Sequence, residues 1–190
     1  MKIPELIRLR LLHWAEARHL QARDCDFLIH NSGGPYLARW YVVRQGQRWL
    51  RLTPEERLHH LDVHDPRSDG AGRNVFVHRF TASDDERALH DHPWPWLTVI
   101  LSGQYLEHVP ADPRNPAGAT RVRRRRQGDV VWCRQAQRAH RIEVIDGEPA
   151  VTLFLTGSKT REWGFHCQQG WRHWRDFTAS DGRGQSRGCN

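Results

Sequence analysis

Seven short stretches rich in β-branched and aromatic residues, each closed by a turn signal, follow one another through residues 75–80, 96–101, 104–109, 120–125, 129–133, 140–145 and 150–156. Short strands at such close spacing leave little room for the crossover helices of parallel βαβ units, so the pattern predicts an all-β sandwich or barrel. With 190 residues the chain suits one domain, or one domain with extensions. Nine Trp and six Phe supply bulky core material that disordered chains lack.

Three segments follow from this pattern. Residues 1–73 form an N-terminal α/β extension. In it, apolar residues recur near period 3.6 between Pro4 and about Arg23, which predicts an amphipathic helix packed on another element. A turn cluster at 31–35 then leads into an aromatic and β-branched strand at 36–43. Thr53, Pro54 and the acids after them have the grammar of a helix start, with Thr53 as N-cap, and predict a short helix ending near Leu61. A loop covers 65–74. Residues 74–177 make the barrel, and residues 178–190, rich in Gly, Ser and Arg, read as a flexible tail.

No apolar run approaches the roughly 18–20 residues of a membrane span, and the first twenty residues lack a signal peptide's uninterrupted apolar stretch. Cys25, Cys133, Cys167 and Cys189 contain no C-x-x-C pair and none of the dense spacing of a secreted disulfide scaffold. They read as reduced thiols, and the chain as a soluble, cytoplasmic protein. Lys and Arg outnumber Asp and Glu by 29 to 22. The densest basic run, Arg121 to Arg126, leads directly into the turn at Gly128. It therefore reads as a hairpin arm whose arginines are solvated and guard a strand edge, and nucleic acid is not expected as the partner.

The 13 His are a surplus that points to metal chemistry. His90 and His92 are two apart, so on a strand they project to one face while Asp91 points away. His140, at the start of a later strand, is the natural third donor. Neutral imidazoles suit Fe, Zn, Ni and Cu, so the ligand type does not choose the metal. Tyr105 and Glu107 share a face after Gly103. If that face is inward, Glu107 is a candidate fourth ligand or base; otherwise it is a solvent-facing hairpin residue. His78, on an alternating strand next to the site, is a further candidate.

These residues resemble the two-motif signature of the cupin superfamily. His90, His92 and Gly103 fit its first motif, with Trp96 where the usual acidic ligand stands, and Gly128 followed by His140 fits the second with one extra residue. The resemblance covers about residues 74–156 and implies a double-stranded β-helix, or jelly roll. Within the superfamily the chain is similar to the three-His thiol dioxygenases typified by cysteine dioxygenase. That likeness implies His90, His92 and His140 as ligands of Fe(II), with Zn, Ni or Mn as alternatives, and Arg39 in the place of a substrate-carboxylate arginine. Their Ser-x-His-x-Tyr set falls on Thr152, Phe154 and Thr156, and their crosslinking cysteine is absent, so scaffold and triad carry over but the thiol substrate does not. The chain also resembles bacterial and phage cupins that share residues 87–94 (RALHDHPW) and the Trp-Gly-Phe segment at 163–165.

The expected function is that of a mononuclear non-haem Fe(II)-dependent dioxygenase acting on a small anionic substrate, a carboxylate. The alternative is a non-catalytic cupin that binds a metal or small molecule as a sensor or accessory protein. Dimerisation is a habit of the superfamily.

Overall fold

The computed structural model describes residues 1–31, 33–44, 73–84, 87–178 and 187–190. The helix expected at 53–61 and most of the loop expected at 65–74 lie outside the described residues, as does the greater part of the tail expected at 178–190. Helix α1 (Glu5–Ala15) begins directly after Pro4 and runs into a π-helical turn (Glu16–Leu20). Twelve strands follow among the described residues: β1 (Phe27–Asn31), β2 (Gly34–Arg44), β3 (Asn74–Phe80), β4 (Leu89–His90), β5 (Trp96–Ser102), β6 (Gln104–Pro110), β7 (Thr120–Arg126), β8 (Val130–Cys133), β9 (Arg141–Val144), β10 (Ala150–Thr156), β11 (Gly164–Cys167) and β12 (Gly170–His173). A single helical turn, α2 (Trp174–Phe177), comes last.

The strands form a six-stranded sheet, β1-β2-β3-β10-β5-β8, and two three-stranded sheets, β12-β11-β4 and β7-β6-β9. His90 and His140 join the two smaller sheets by a reciprocal pair of backbone hydrogen bonds, each 2.9 Å. Numbered from β3 to β10, the first, eighth, third and sixth strands thus lie in one layer. The second, seventh, fourth and fifth lie in the other. This alternation between layers is the strand order of a double-stranded β-helix, and the fold is the cupin-type jelly roll with β1 and β2 extending the larger sheet.

Alternation within the strands separates two apolar layers. Inner-facing residues, among them Phe76, Phe80, Trp96, Ile100, Tyr105, Val131, Ile142 and Phe154, fill the barrel. Their outer-facing neighbours Val77, Val99, Leu101 and Val151 pack under Ala15, Leu11, Leu12 and Trp14 of the N-terminal helix. The helix therefore covers the outside of the larger sheet, while Leu6, Ile7 and Leu9 stay exposed. Its inward Arg8 is held by Glu5 and donates to the Leu101 carbonyl. Between β5 and β6, Gly103 adopts φ +73°, and a Cβ there would sit 2.4 Å from the Pro149 carbonyl oxygen, so only glycine fits this turn.

The reading of all four cysteines as reduced thiols is corrected. Cys167 and Cys189 are disulfide-bonded, whereas Cys25 and Cys133 are free. The 22-residue separation carried no local signal, and the pair meets only because β12 and α2 fold back over β11. There Cys189, Trp163 and Trp174 pack against the cluster of Ala88, Phe165, Cys167 and Phe177. No helix among the described residues is long and apolar enough to cross a membrane.

Candidate metal centre

Strand β4 is two residues long and places His90 between β11, where Phe165 is its partner, and His140 at the entrance to β9. His92 follows on the same side, its backbone N–H bonded to the Ala136 carbonyl. The donor atoms of His90, His92 and His140 all lie within 4.8 Å of one another, and the Nε2 atoms of His92 and His140 are 2.9 Å apart. Two imidazoles bound to one ion at roughly 2.0–2.1 Å in adjacent octahedral positions bring their nitrogens to about 3 Å, the separation of the His92–His140 pair, and with His90 beside them the group could hold a metal ion. Burial first, then the charges of neighbouring groups, holds the pKa of His90 and His92 well below 6.5. Both rings are therefore neutral at neutral pH, the form that ligates.

Asp91 faces the other way, as strand parity requires, and is fully buried. Its carboxylate accepts from the Gly164 backbone N–H (2.8 Å), Trp171 Nε1 (3.1 Å) and His166 Nε2 (3.2 Å), and it pairs with Arg161. One residue thus ties the histidine segment to β11 and β12.

Glu107 is inward and 2% exposed. Its Oε1 lies 3.3 Å from His140 Nδ1, and its Oε2 accepts from Arg125 Nε at 2.7 Å and from a second Arg125 nitrogen. Burial alone would raise its pKa, but the hydrogen bonds of His140 and Arg125 and the Arg125 charge outweigh that and hold it below the ordinary 4.5. An ionised carboxylate on the distal nitrogen of an imidazole fixes the tautomer that presents Nε2 to a metal. The expectation of solvated arginines along this arm fails at Arg125, which turns inward to Glu107, whereas Arg121, Arg123, Arg124 and Arg126 of β7 are exposed.

Trp96, at the motif's acidic position, stacks on His140 with ring centroids 5.1 Å apart and lies 5.7 Å from the His92 ring. Phe154 touches both Trp96 and His92. Tyr105 is buried against Phe80, and burial pushes its phenol pKa up. Arg39 sits on β2 opposite His78 of β3, with its guanidinium over the Phe76 ring. Among the described residues it makes no ion pair, and its buried Nε has no hydrogen-bond partner there. Burial lowers its pKa below the ordinary 12.5. Asp84 had no sequence signal. It caps the Ile142 backbone N–H at 2.7 Å and lies 3.8 Å from His90 Nδ1.

No family model matches the sequence, and no curated protein matches it. Solved structures do. The dimethylsulfoniopropionate (DMSP) lyase DddQ from Ruegeria pomeroyi DSS-3 is similar at 17% identity over 64% of this chain and 47% of that one, with a TM-score of 0.40. The polyketide cyclase RemF from Streptomyces resistomycificus gives 13% identity over 64% and 65%, with a TM-score of 0.41. The oxalate decarboxylase of Bacillus subtilis gives 24% identity over 49% and 23%, with a TM-score of 0.37. The chain thus spans less than two thirds of the length of each. Strand order and site together define a cupin-type barrel carrying a three-histidine group that could hold a metal ion.

Proposed function

We propose that this chain is a mononuclear non-haem metal enzyme, with His90, His92 and His140 holding Fe(II) and O2 as co-reactant, acting on a small carboxylate. The observation that carries the reading is the convergence of three imidazoles, one of them braced by Glu107, in a barrel whose wall also holds an unpaired guanidinium. Fe(II) in such a site supplies redox capacity and open coordination positions. Glu107 keeps His140 in its ligating tautomer and is itself kept ionised by Arg125, so its role is to orient a ligand. Arg39 grips the substrate carboxylate, the partner its buried guanidinium lacks. Tyr105 stays a phenol and serves as a hydrogen-bond donor. Trp96 and Phe154 wall the ligand group and exclude water.

The test is elemental analysis of protein purified without chelators or added metal, comparing wild type with the His90→Ala/His92→Ala double variant, followed by O2 uptake with a panel of small carboxylic acids. About one iron per chain, lost in the variant, together with substrate-dependent O2 uptake lost in His140→Ala, is the expected result. Uptake that persists in metal-free protein overturns the reading. Metal binding with no uptake leaves a metal-binding module in its place.

A further inference from the structure

Among the described residues, five buried polar atoms at the barrel's inner wall have no hydrogen-bond partner: Arg39 Nε, His78 Nε2, Trp94 Nε1, Trp96 Nε1 and Thr152 Oγ1. They are neighbours. Arg39, His78 and Thr152 stand opposite one another in register across β2, β3 and β10. His78 stacks on Phe154 at 4.8 Å, and Phe154 in turn adjoins Trp96 and His92. Trp94 lies 6.4 Å from the His92 ring. Buried polar groups are normally paired, so a contiguous set of unpaired ones marks a place where a ligand supplies the partners.

The chemistry of the set leans towards donors. A guanidinium and two indoles only donate, a threonine hydroxyl rotates to donate, and the neutral His78 ring offers Nε2 as donor or acceptor according to its tautomer. The carboxylates that could face them are taken: Glu107 by His140 and Arg125, Asp84 by the Ile142 N–H, and Asp91 by groups on the opposite side of its strand. An ammonium group placed here would meet a guanidinium and N–H donors, with no free carboxylate among the described residues to receive it. We infer that the barrel takes an oxygen-rich carboxylate without an amino group, of the 2-oxo, 2-hydroxy or dicarboxylic acid kind. Arg39 holds one carboxylate, and Thr152, Trp94 and Trp96 donate to the remaining oxygens. His78 completes the row through its Nε2. This rests on the reading of the barrel as a substrate site and adds a substrate class to it.

The experiment is calorimetric titration of metal-loaded and metal-free protein with matched pairs that differ at the amino group: pyruvate against alanine, succinate against aspartate, and 2-oxoglutarate against glutamate. The acid in at least one pair should bind tenfold or more tighter than its amino counterpart. That preference should shrink in Arg39→Gln and also in Trp96→Phe and Thr152→Val, which remove a donor while keeping an aromatic or β-branched side chain; these two keep the test open if Arg39→Gln fails to fold. Equal or tighter binding of the amino members overturns the inference, and so does the absence of binding by every probe in either form. Metal content measured on the same samples separates the two readings. Loading without acid binding counts against this inference alone. A preference for the acids in protein that takes up no metal supports it while the metal reading fails.

Discussion

At Glu107 the chemistry of one side chain is decided by two neighbours from other strands. The residue shares a face with Tyr105 after the Gly103 turn, a placement equally open to a ligand, a base or a solvated glutamate. In the structure Arg125 and His140 both reach its carboxylate, which stays ionised. Glu107→Gln keeps the shape but removes the charge that His140 and Arg125 share, so metal affinity should fall by about 10–100-fold, as for other groups that orient a ligand. Competition with a chromogenic chelator measures this, and unchanged affinity would show that Glu107 does not orient His140. His78 offers a second test. It is 2% exposed, and burial followed by the charge of Arg39 holds its pKa well below 6.5. Below pH 6.5 the unfolded chain binds a proton there that the folded chain does not, so this stability is intact above 6.5 and is lost as pH falls. For one such histidine the loss between pH 7.5 and 5.5 is on the order of 1 kcal/mol. Urea unfolding of metal-free His78→Phe, which preserves the stack on Phe154, should show an acid-side loss smaller than that of wild type by about that amount. An identical loss in both proteins would place the acid sensitivity elsewhere.

At the scale of elements, strand β4 is too short to hold itself in place. Two residues give no periodicity, and Leu89 and His90 owe their position to β11 on one side and His140 on the other. Asp91 is the anchor. Asp91→Ala leaves Gly164, Trp171, His166 and the Arg161 charge without their acceptor and should cost about 3 kcal/mol in urea unfolding. A cost below about 1 kcal/mol would mean that the β4–β11 pairing stands without it. The same anchor explains which elements the sequence reveals. Strands β5, β6 and β10 are seven-residue runs dominated by apolar, β-branched and aromatic residues, and their bounds are legible to within a residue. Strands β11 and β12, with His166, Arg172 and His173 among apolar neighbours, are not legible, because their partner Asp91 lies more than seventy residues away. The two-residue spacing of His90 and His92 and the position of His140 at the start of a later strand mark in the sequence the three residues that the structure brings together. Their brace carries no such mark, since nothing local distinguishes Arg125 from the other arginines of β7.

Across the whole molecule the candidate centre occupies a seam. The layer opposite the large sheet is two three-stranded sheets, joined among the described residues by the His90–His140 backbone pair, and all three imidazoles cluster at that junction. An ion bound there links the β12-β11-β4 sheet to the β7-β6-β9 sheet and binds the folded chain far more tightly than the unfolded one, in which the three donors are scattered over about fifty residues. By mass action, free metal at a hundred times its Kd adds about 2.7 kcal/mol to stability. In a domain of this size each kcal/mol is worth about 2–4 °C, so Tm should rise by roughly 5–10 °C when metal is added to chelator-treated protein. His90→Ala/His92→Ala should show no such rise. Calorimetric scans of both proteins with and without added Fe(II), under anaerobic conditions, make the comparison. A rise that persists in the double variant would place the stabilising ion elsewhere, and no rise in wild type would mean that the seam is closed by backbone pairing and the packing of Phe165 and Trp96 around it.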